Sequence, residues 1–443
     1  MIEKLKNTHF NINPNLVDRS AKDLQITPSL LARRAMAFEM LGDLSTRIQS
    51  PKLVSSSVGS IDSLLLTIPG WVFTDPPASR DAYKDAYTDL LRKLPAATKF
   101  IILTNQSAEQ SCKSWIESLE MDDRATIVIA PDELKFSIWA EDAYCMAVDQ
   151  ATSETFFIES VAFDRYDDEY VADEVSNATN LKLSLADVYF QGGNVLIGDD
   201  YWLLGMDYPA KSFEYGFITQ GPSESKLDAT RRVYGKLMDK HRVLFPIGTH
   251  LAVPQEAKIP QQIEGETWHH HVFRGNGSGT SQPLFHIDMF ITLLGRKSGK
   301  PLVMVGDPSM ATKTLGDLDF VKFAEQFSMQ SVFDNIADRL SQLDFTVIRN
   351  PLPPAYFVDH ANKEIKWYFA TPNNALVQVL NNEKQIWLPQ YGFGAFAELA
   401  ATDKQTKDIL ENEGFTVHAL SDFHPFAAGL GAVHCITKYI GRS

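Results

Sequence analysis

Short apolar runs dominate the chain from Ser60 onward. SLLLTI at 63–68, KFIILT at 99–104 and ATIVIA at 125–130 have the length and aliphatic content of buried strands. Segments of helical character such as Asp81–Leu94 lie between them, and this alternation predicts an α/β fold. The pattern continues through AYCMAV, TFFIESV, NVLIGD, YWLLGM, HIDMFITLLG, PLVMVGD, FTVIRN, IKWYFAT, NALVQVL, QIWLPQ and AVHCITKYI. These are too many strands for one open nucleotide-binding sheet, and no GxGxxG or GxxxxGK[ST] loop follows any of them. Residues 1–60 are polar apart from one stretch, roughly Thr27–Gln49, whose apolar positions recur at helical spacing. The expected organisation is an N-terminal helical extension over 1–60 and a catalytic domain over 61–443.

Four places break the apolar texture with groups that carry chemistry. If HIDMFITLLG at 286–295 is a strand, His286, Asp288 and Phe290 share one side, and an ionised carboxylate there needs a partner. A hydrogen-bonded structural pair and a functional pair both satisfy that need. In GLGAVHCITKYIGR at 429–442, Cys435 follows two glycines, and His434 in a strand points away from it, so the distant His286 is the better candidate base. An inert buried thiol is the plainer alternative. In FSIWAEDAYCMAV at 136–148, Glu141 and Asp142 follow Trp139, an arrangement suited to a planar cation or to a simple turn. In FQGGNVLIGDD at 190–200, Gly192-Gly193-Asn194 reads as a turn.

Composition narrows the function classes. The 443 residues are 44% hydrophobic and 22% charged, enough for a sizeable core. Against 56 Asp+Glu stand 41 Lys+Arg, a net charge of -15, which repels nucleic acid and anionic membranes; it would draw in a cationic substrate, and solubility alone is the plainer reason for it. Cysteine occurs only at Cys112, Cys145 and Cys435, with no CxxC pair, so neither a disulfide framework nor a zinc site is expected. No signal-type apolar segment opens the sequence and no apolar run reaches the ~18 residues of a membrane span. A cytoplasmic location is therefore expected, with a signal-independent export route left open. The loop-like stretch 254–283, containing His269, His270 and His271, and the acidic run Asp167–Glu174, read as a solvated charged face, look like surface insertions, and no metal is expected at either.

Taken in order, W-x-x-D (Trp139, Asp142), GGN (192–194), H-x-D (His286, Asp288) and the terminal H-C (His434, Cys435) resemble the guanidino-group modifying enzymes of the pentein fold. The branch they resemble most is that of the agmatine and peptidylarginine deiminases. TPNNALVQVLNNEKQIWLPQYG at 371–392 adds a weaker match, and the resemblance spans roughly residues 60–443. Two departures stand out: Glu141 and Gln191 occupy positions where agmatine deiminases usually carry Arg and an acidic residue, which leans toward arginine side chains as substrate.

The resemblance implies an α/β propeller of five ββαβ-type modules around a central active site. It implies Cys435 as nucleophile, His286 as acid and base, and Asp142 and Asp288 as seats for the guanidinium, with Trp139, Gly193, Asn194 and Asn374 lining the substrate. No metal or organic cofactor is implied. The expected reaction converts a guanidinium to a ureido group plus ammonia through a thiouronium intermediate. An amidinotransferase of the same fold and a non-catalytic binding module are the alternatives, and the oligomeric state is left open.

Overall fold

Six small sheets take up the apolar runs in the computed structural model, which describes residues 12–22, 27, 29, 36, 48–165, 167–381 and 383–443. The helix expected over Thr27–Gln49 lies, but for a few positions, outside the described residues.

Five of these sheets share one connectivity: two antiparallel strands, a helical connection, then a third strand parallel to the second. They are Tyr144–Asp149, Thr155–Ser160 and Lys182–Ala186; Val195–Ile197, Tyr201–Gly205 and Val243–Ile247; Ile291–Lys297, Lys300–Asp307 and Thr346–Pro351; Leu376–Leu380, Glu383–Gln390 and Thr416–Asp422; and Lys438–Arg442, Ile61–Thr67 and Lys99–Asn105. A tight turn suffices for the antiparallel step, whereas a parallel partner demands a crossover, which the helices supply. In the last sheet Lys438–Arg442 pairs with Ile61–Thr67, so here the antiparallel partners are far apart in sequence and no tight turn joins them. The outer strands Pro51–Leu53 and Ala125–Ala130 extend two of the sheets.

The chain divides into two compact units. The first comprises residues 12–20, Asp75–Leu94 and Gly248–His434; its core includes Leu294, Leu302, Met304, Val377, Ile386 and Leu388 from two neighbouring sheets, closed by Leu410. The second comprises the described residues of 21–74, Pro95–Ile247 and Cys435–Ser443, with one core around Trp202, Phe190 and Tyr234 and another around Tyr144, Phe157 and Leu103.

The structure corrects four sequence expectations. The stretch 254–283 is not a loop throughout: Ala257–Ile263 and Glu266–Val272 form a hairpin whose two turn residues, Glu264 and Gly265, both have positive φ. Its histidines diverge, with His270 buried against Trp367 Nε1 at 2.9 Å and His271 paired with Glu256 at 2.7 Å. Among the described residues no group of three or more His, Cys, Asp or Glu converges to hold a metal. The acidic run folds as a short turn, Asp167–Tyr170, and a helix, Val171–Ala178, that buries Val171, Ala172, Val175 and, on the turn, Asp168. HIDMFITLLG is a strand only from Ile291, since Ile287–Met289 is a single 3-10 turn; likewise Cys435 sits in a turn over 433–436 and its strand begins at Lys438. No described helix is long and apolar enough to cross a membrane.

Burial of His424 carries a pH signature. Its ring lies between Tyr368 Oη at 2.7 Å and the carbonyl of Tyr391 at 2.8 Å, and burial pushes its pKa down to about 4. The unfolded chain then binds the proton first, so this group removes stability as pH falls from about 6.5 toward 4. His270, also down to about 4, acts in the same sense; burial raises Asp403 and Asp422 to about 6, and these act in the opposite sense. The observable is therefore a difference: the Tm gap between the protein and His424→Gln should narrow steadily from pH 7 to pH 4 in thermal melts. A constant gap would contradict a neutral, buried imidazole.

Candidate functional site

In the first unit the site is built on the 3-10 turn Ile287–Met289. His286 precedes it with extended backbone, and the turn rotates Asp288 into the interior, where it is 1% exposed. Two parallel hydrogen bonds reach its carboxylate from a guanidinium, Arg19 Nη1 to Oδ1 and Arg19 Nη2 to Oδ2, both at 3.1 Å. This planar fork-on-fork pairing is the geometry by which a carboxylate recognises a guanidinium. His434 Nδ1 lies 3.0 Å from the same Oδ2. Burial by itself would raise the Asp288 pKa, but Arg19, the hydrogen bond from His434 and the two imidazoles of His434 and His286 hold it well below the usual carboxylate range. His286 is fully buried, its ring stacked on Phe285 with centroids 3.9 Å apart.

Asn374 ties this turn to the C-terminal one. Its Nδ2 donates to the Asp288 carbonyl at 3.3 Å, its Oδ1 accepts from Ala432 N at 3.0 Å, and its carbonyl accepts from His434 N at 3.3 Å. A side chain expected to line substrate thus also orients the backbone that presents Asp288 and His434. The turn carrying it is braced by the mutual amide pair of Asn373 and Asn350, 3.1 Å in each direction.

The second unit holds the other expected residues. Trp139, Glu141 and Asp142 lie on an irregular, buried segment before the strand Tyr144–Asp149. Arg165 Nη2 contacts Asp142 Oδ2 at 2.6 Å, and its Nε contacts Asp168 Oδ2 at 2.7 Å; Asp168 in turn accepts from Ser137 N and Oγ. The planar cation beside Asp142 is therefore one of the chain's own. Although burial disfavours the charged form, Asp142 and Asp168 raise the Arg165 pKa. Lys438 Nζ pairs with Glu141 Oε1 at 2.8 Å, both side chains buried, and Glu141 N donates to the Cys435 carbonyl at 3.1 Å.

The GGN segment, Gly192–Asn194, is a 3-10 turn opening the strand Val195–Ile197, the same device that precedes Ile291–Lys297. Gly192 is required by close approach: its N donates to the Asp142 carbonyl at 2.8 Å, and a Cβ there would fall 1.8 Å from the Glu141 carbonyl. The Asn194 side chain is fully buried and lies where a Cβ on Gly205 would sit, at 2.4 Å. Cys435 is buried, as are Cys112 and Cys145; burial pushes the latter two thiols up to about 12, which keeps them neutral and unreactive.

The structure thus brings Asp288, His434, His286 and Asn374 together in one unit, and Trp139, Asp142, Gly192–Asn194 and Cys435 in the other. Sequence reasoning missed Arg19, Arg165 and the Glu141–Lys438 pair. Arg165 left a trace, a lone cation three residues before Asp168 in an acidic stretch. Arg19 left none, since its partner is 269 positions away.

No protein-family model matches the sequence, and no curated protein sequence matches it. Among solved structures, the chain is similar to the agmatine deiminase of C. jejuni at 12% identity and a TM-score of 0.53, over 89% of this chain and 97% of that one. A mutant DDAH from Pseudomonas aeruginosa complexed with citrulline aligns over 86% of this chain and 99% of that one at 10% identity, with a TM-score of 0.37. What the first likeness shows is the fold: this chain has the pentein fold of the agmatine deiminase.

Proposed function

We propose that the chain is a cysteine-dependent deiminase, its five ββαβ sheets arranged as the modules of an α/β propeller, acting on an arginine-like guanidinium of a peptide, of agmatine or of a related compound. The observation that carries this reading is the Asp288 carboxylate, which already holds a guanidinium edge-on with both oxygens. Asp288 and Asp142 fix the plane of the substrate guanidinium, Asp142 being itself oriented by Arg165. The Cys435 thiolate attacks the guanidinium carbon to form a C–S bond. The C–N bond to one amino group then breaks, His286 supplying the proton with which ammonia leaves. Water adds to the thiouronium carbon, His286 takes its proton, and the C–S bond breaks to release the ureido product and regenerate the thiolate.

The net change is guanidinium plus water to ureido group plus ammonium, the second proton of the water passing to the ammonia released. A side-by-side assay of ammonia and ureido product on arginine, agmatine, dimethylarginine and an arginine-containing peptide tests it. Stoichiometric ammonia and ureido compound from at least one of the four is the expected result; formation of a new guanidino compound in the presence of an amine would replace hydrolysis with amidino transfer. A second reading, a non-catalytic binding module, draws on the fact that Asp142 and Asp288 are each paired with an arginine of the chain. It predicts no product from any of the four and no labelling of Cys435 by a haloacetamidine.

A further inference from the structure

The segment 12–20 is held on the first unit in the manner of a bound peptide. Asn13 Nδ2 donates to Asp75 Oδ2 and to the Ser79 carbonyl, each at 3.0 Å. Asp18 pairs with Arg274, whose same nitrogen donates to the Ala428 carbonyl at 2.8 Å. Arg19 N donates to the Gly429 carbonyl at 2.7 Å, and the guanidinium occupies Asp288. Three features of an arginyl peptide are therefore recognised by three separate sets of groups: the acid before the arginine, the arginine's own backbone, and its side chain. Beside the segment, on the side that precedes Arg19, runs a cavity of about 610 Å³, lined by Leu16, Asp18, Arg274, Phe357 and Lys366. The Arg19 side chain is fully buried. A buried ion pair is an expensive way to fasten a strap, because an apolar contact of equal size does so at least as well, whereas it is the required way to fill a seat made for a guanidinium.

We propose that residues 13–20 are a built-in arginyl-peptide ligand seated on Asp288, marking the ligand class of this site as arginine within a peptide, preceded by an acidic residue, and barring other guanidinium ligands until the segment leaves. The inference rests on the reading of Asp288 as the substrate's guanidinium seat and specifies its ligand and its control. A seat occupied from within lowers apparent affinity by the fraction of molecules in which it is open, so a segment docked 90% of the time or more weakens external ligands by about ten-fold or more.

The test is calorimetric binding to the full chain, with no turnover in the readout. The probes are a synthetic peptide spanning Asn13–Ser20, the same peptide with its arginine replaced by glutamine or its aspartate by alanine, and agmatine. Arg19→Gln should bind the unaltered peptide at least about ten-fold tighter than the unsubstituted protein does. The glutamine peptide should not bind, and the alanine peptide and agmatine should bind more weakly than the parent peptide. Should Arg19→Gln fail to fold by circular dichroism, Asp18→Ala, which loosens the segment without touching the guanidinium pair, should still raise peptide affinity. Equal affinity in the unsubstituted protein and the folded variants, or agmatine binding as tightly as the peptide, overturns the proposal. Absence of ammonia release with tight peptide binding sinks the deiminase reading alone; ammonia release without peptide binding sinks this one alone.

Discussion

Cys435→Ala should lower ammonia release from every guanidino substrate by at least about 10⁴-fold, the scale of loss when a covalent nucleophile is removed. The fold should persist, because the change deletes one buried sulfur from a turn whose backbone is pinned independently by the hydrogen bond from Glu141 N to the Cys435 carbonyl. The other two thiols are poor substitutes, since burial holds Cys112 and Cys145 up to about 12 and so leaves almost no thiolate at neutral pH. A haloacetamidine should accordingly label the unsubstituted protein at one site and Cys435→Ala at none, as read by peptide mass mapping. Turnover retained in a well-folded Cys435→Ala, or a label on Cys145, would defeat the nucleophile assignment.

The second large effect is on stability. Asp288→Ala leaves the Arg19 guanidinium fully buried without its carboxylate, and severing a buried pair in this way costs about 3–5 kcal/mol. Arg19→Ala removes the cation from the carboxylate instead, while the His434 contact at 3.0 Å and the nearby His286 remain to offset part of its charge. The double variant removes both charges together, so its loss should fall short of the sum of the single losses by about 1–3 kcal/mol in urea denaturation. Because the Asp288 pKa is held below its ordinary value, its contribution is complete above about pH 4 and fades only as the pH drops further. Strict additivity across the cycle would mean that the pair is absent in solution, and with it the physical ground for reading Asp288 as a guanidinium seat.

Much of the architecture was legible along the chain because it follows from local periodicity. Runs such as 99–104, 125–130 and 201–206 became strands nearly as delimited, since a stretch of aliphatic residues of that length can bury itself only in a sheet or a core helix. The reading failed where a polar group interrupts a run. Ile287–Met289 and Val433–Ile436 carry strand-like residues, yet they form turns, because Asn374 rewards a bent backbone, its Nδ2 donating to the Asp288 carbonyl and its Oδ1 accepting from Ala432 N. Strand alternation therefore does not decide which way His286, Asp288, His434 and Cys435 point.

By itself, the sequence determined the α/β class, the placement of most strands, and the set of candidate groups: Cys435, His286, Asp288, Asp142 and the glycine turn at 192. The class and the strands follow from residue type and spacing over a few positions, the range over which backbone periodicity acts, whereas the candidate groups were gathered into one set by the resemblance that their order along the chain carries. Only the tertiary structure decided which charges meet. Arg19 on Asp288, Arg165 on Asp142 and Lys438 on Glu141 join residues up to 297 positions apart, and an ion pair is selected by distance in space after the chain has packed, leaving no periodic mark on the sequence.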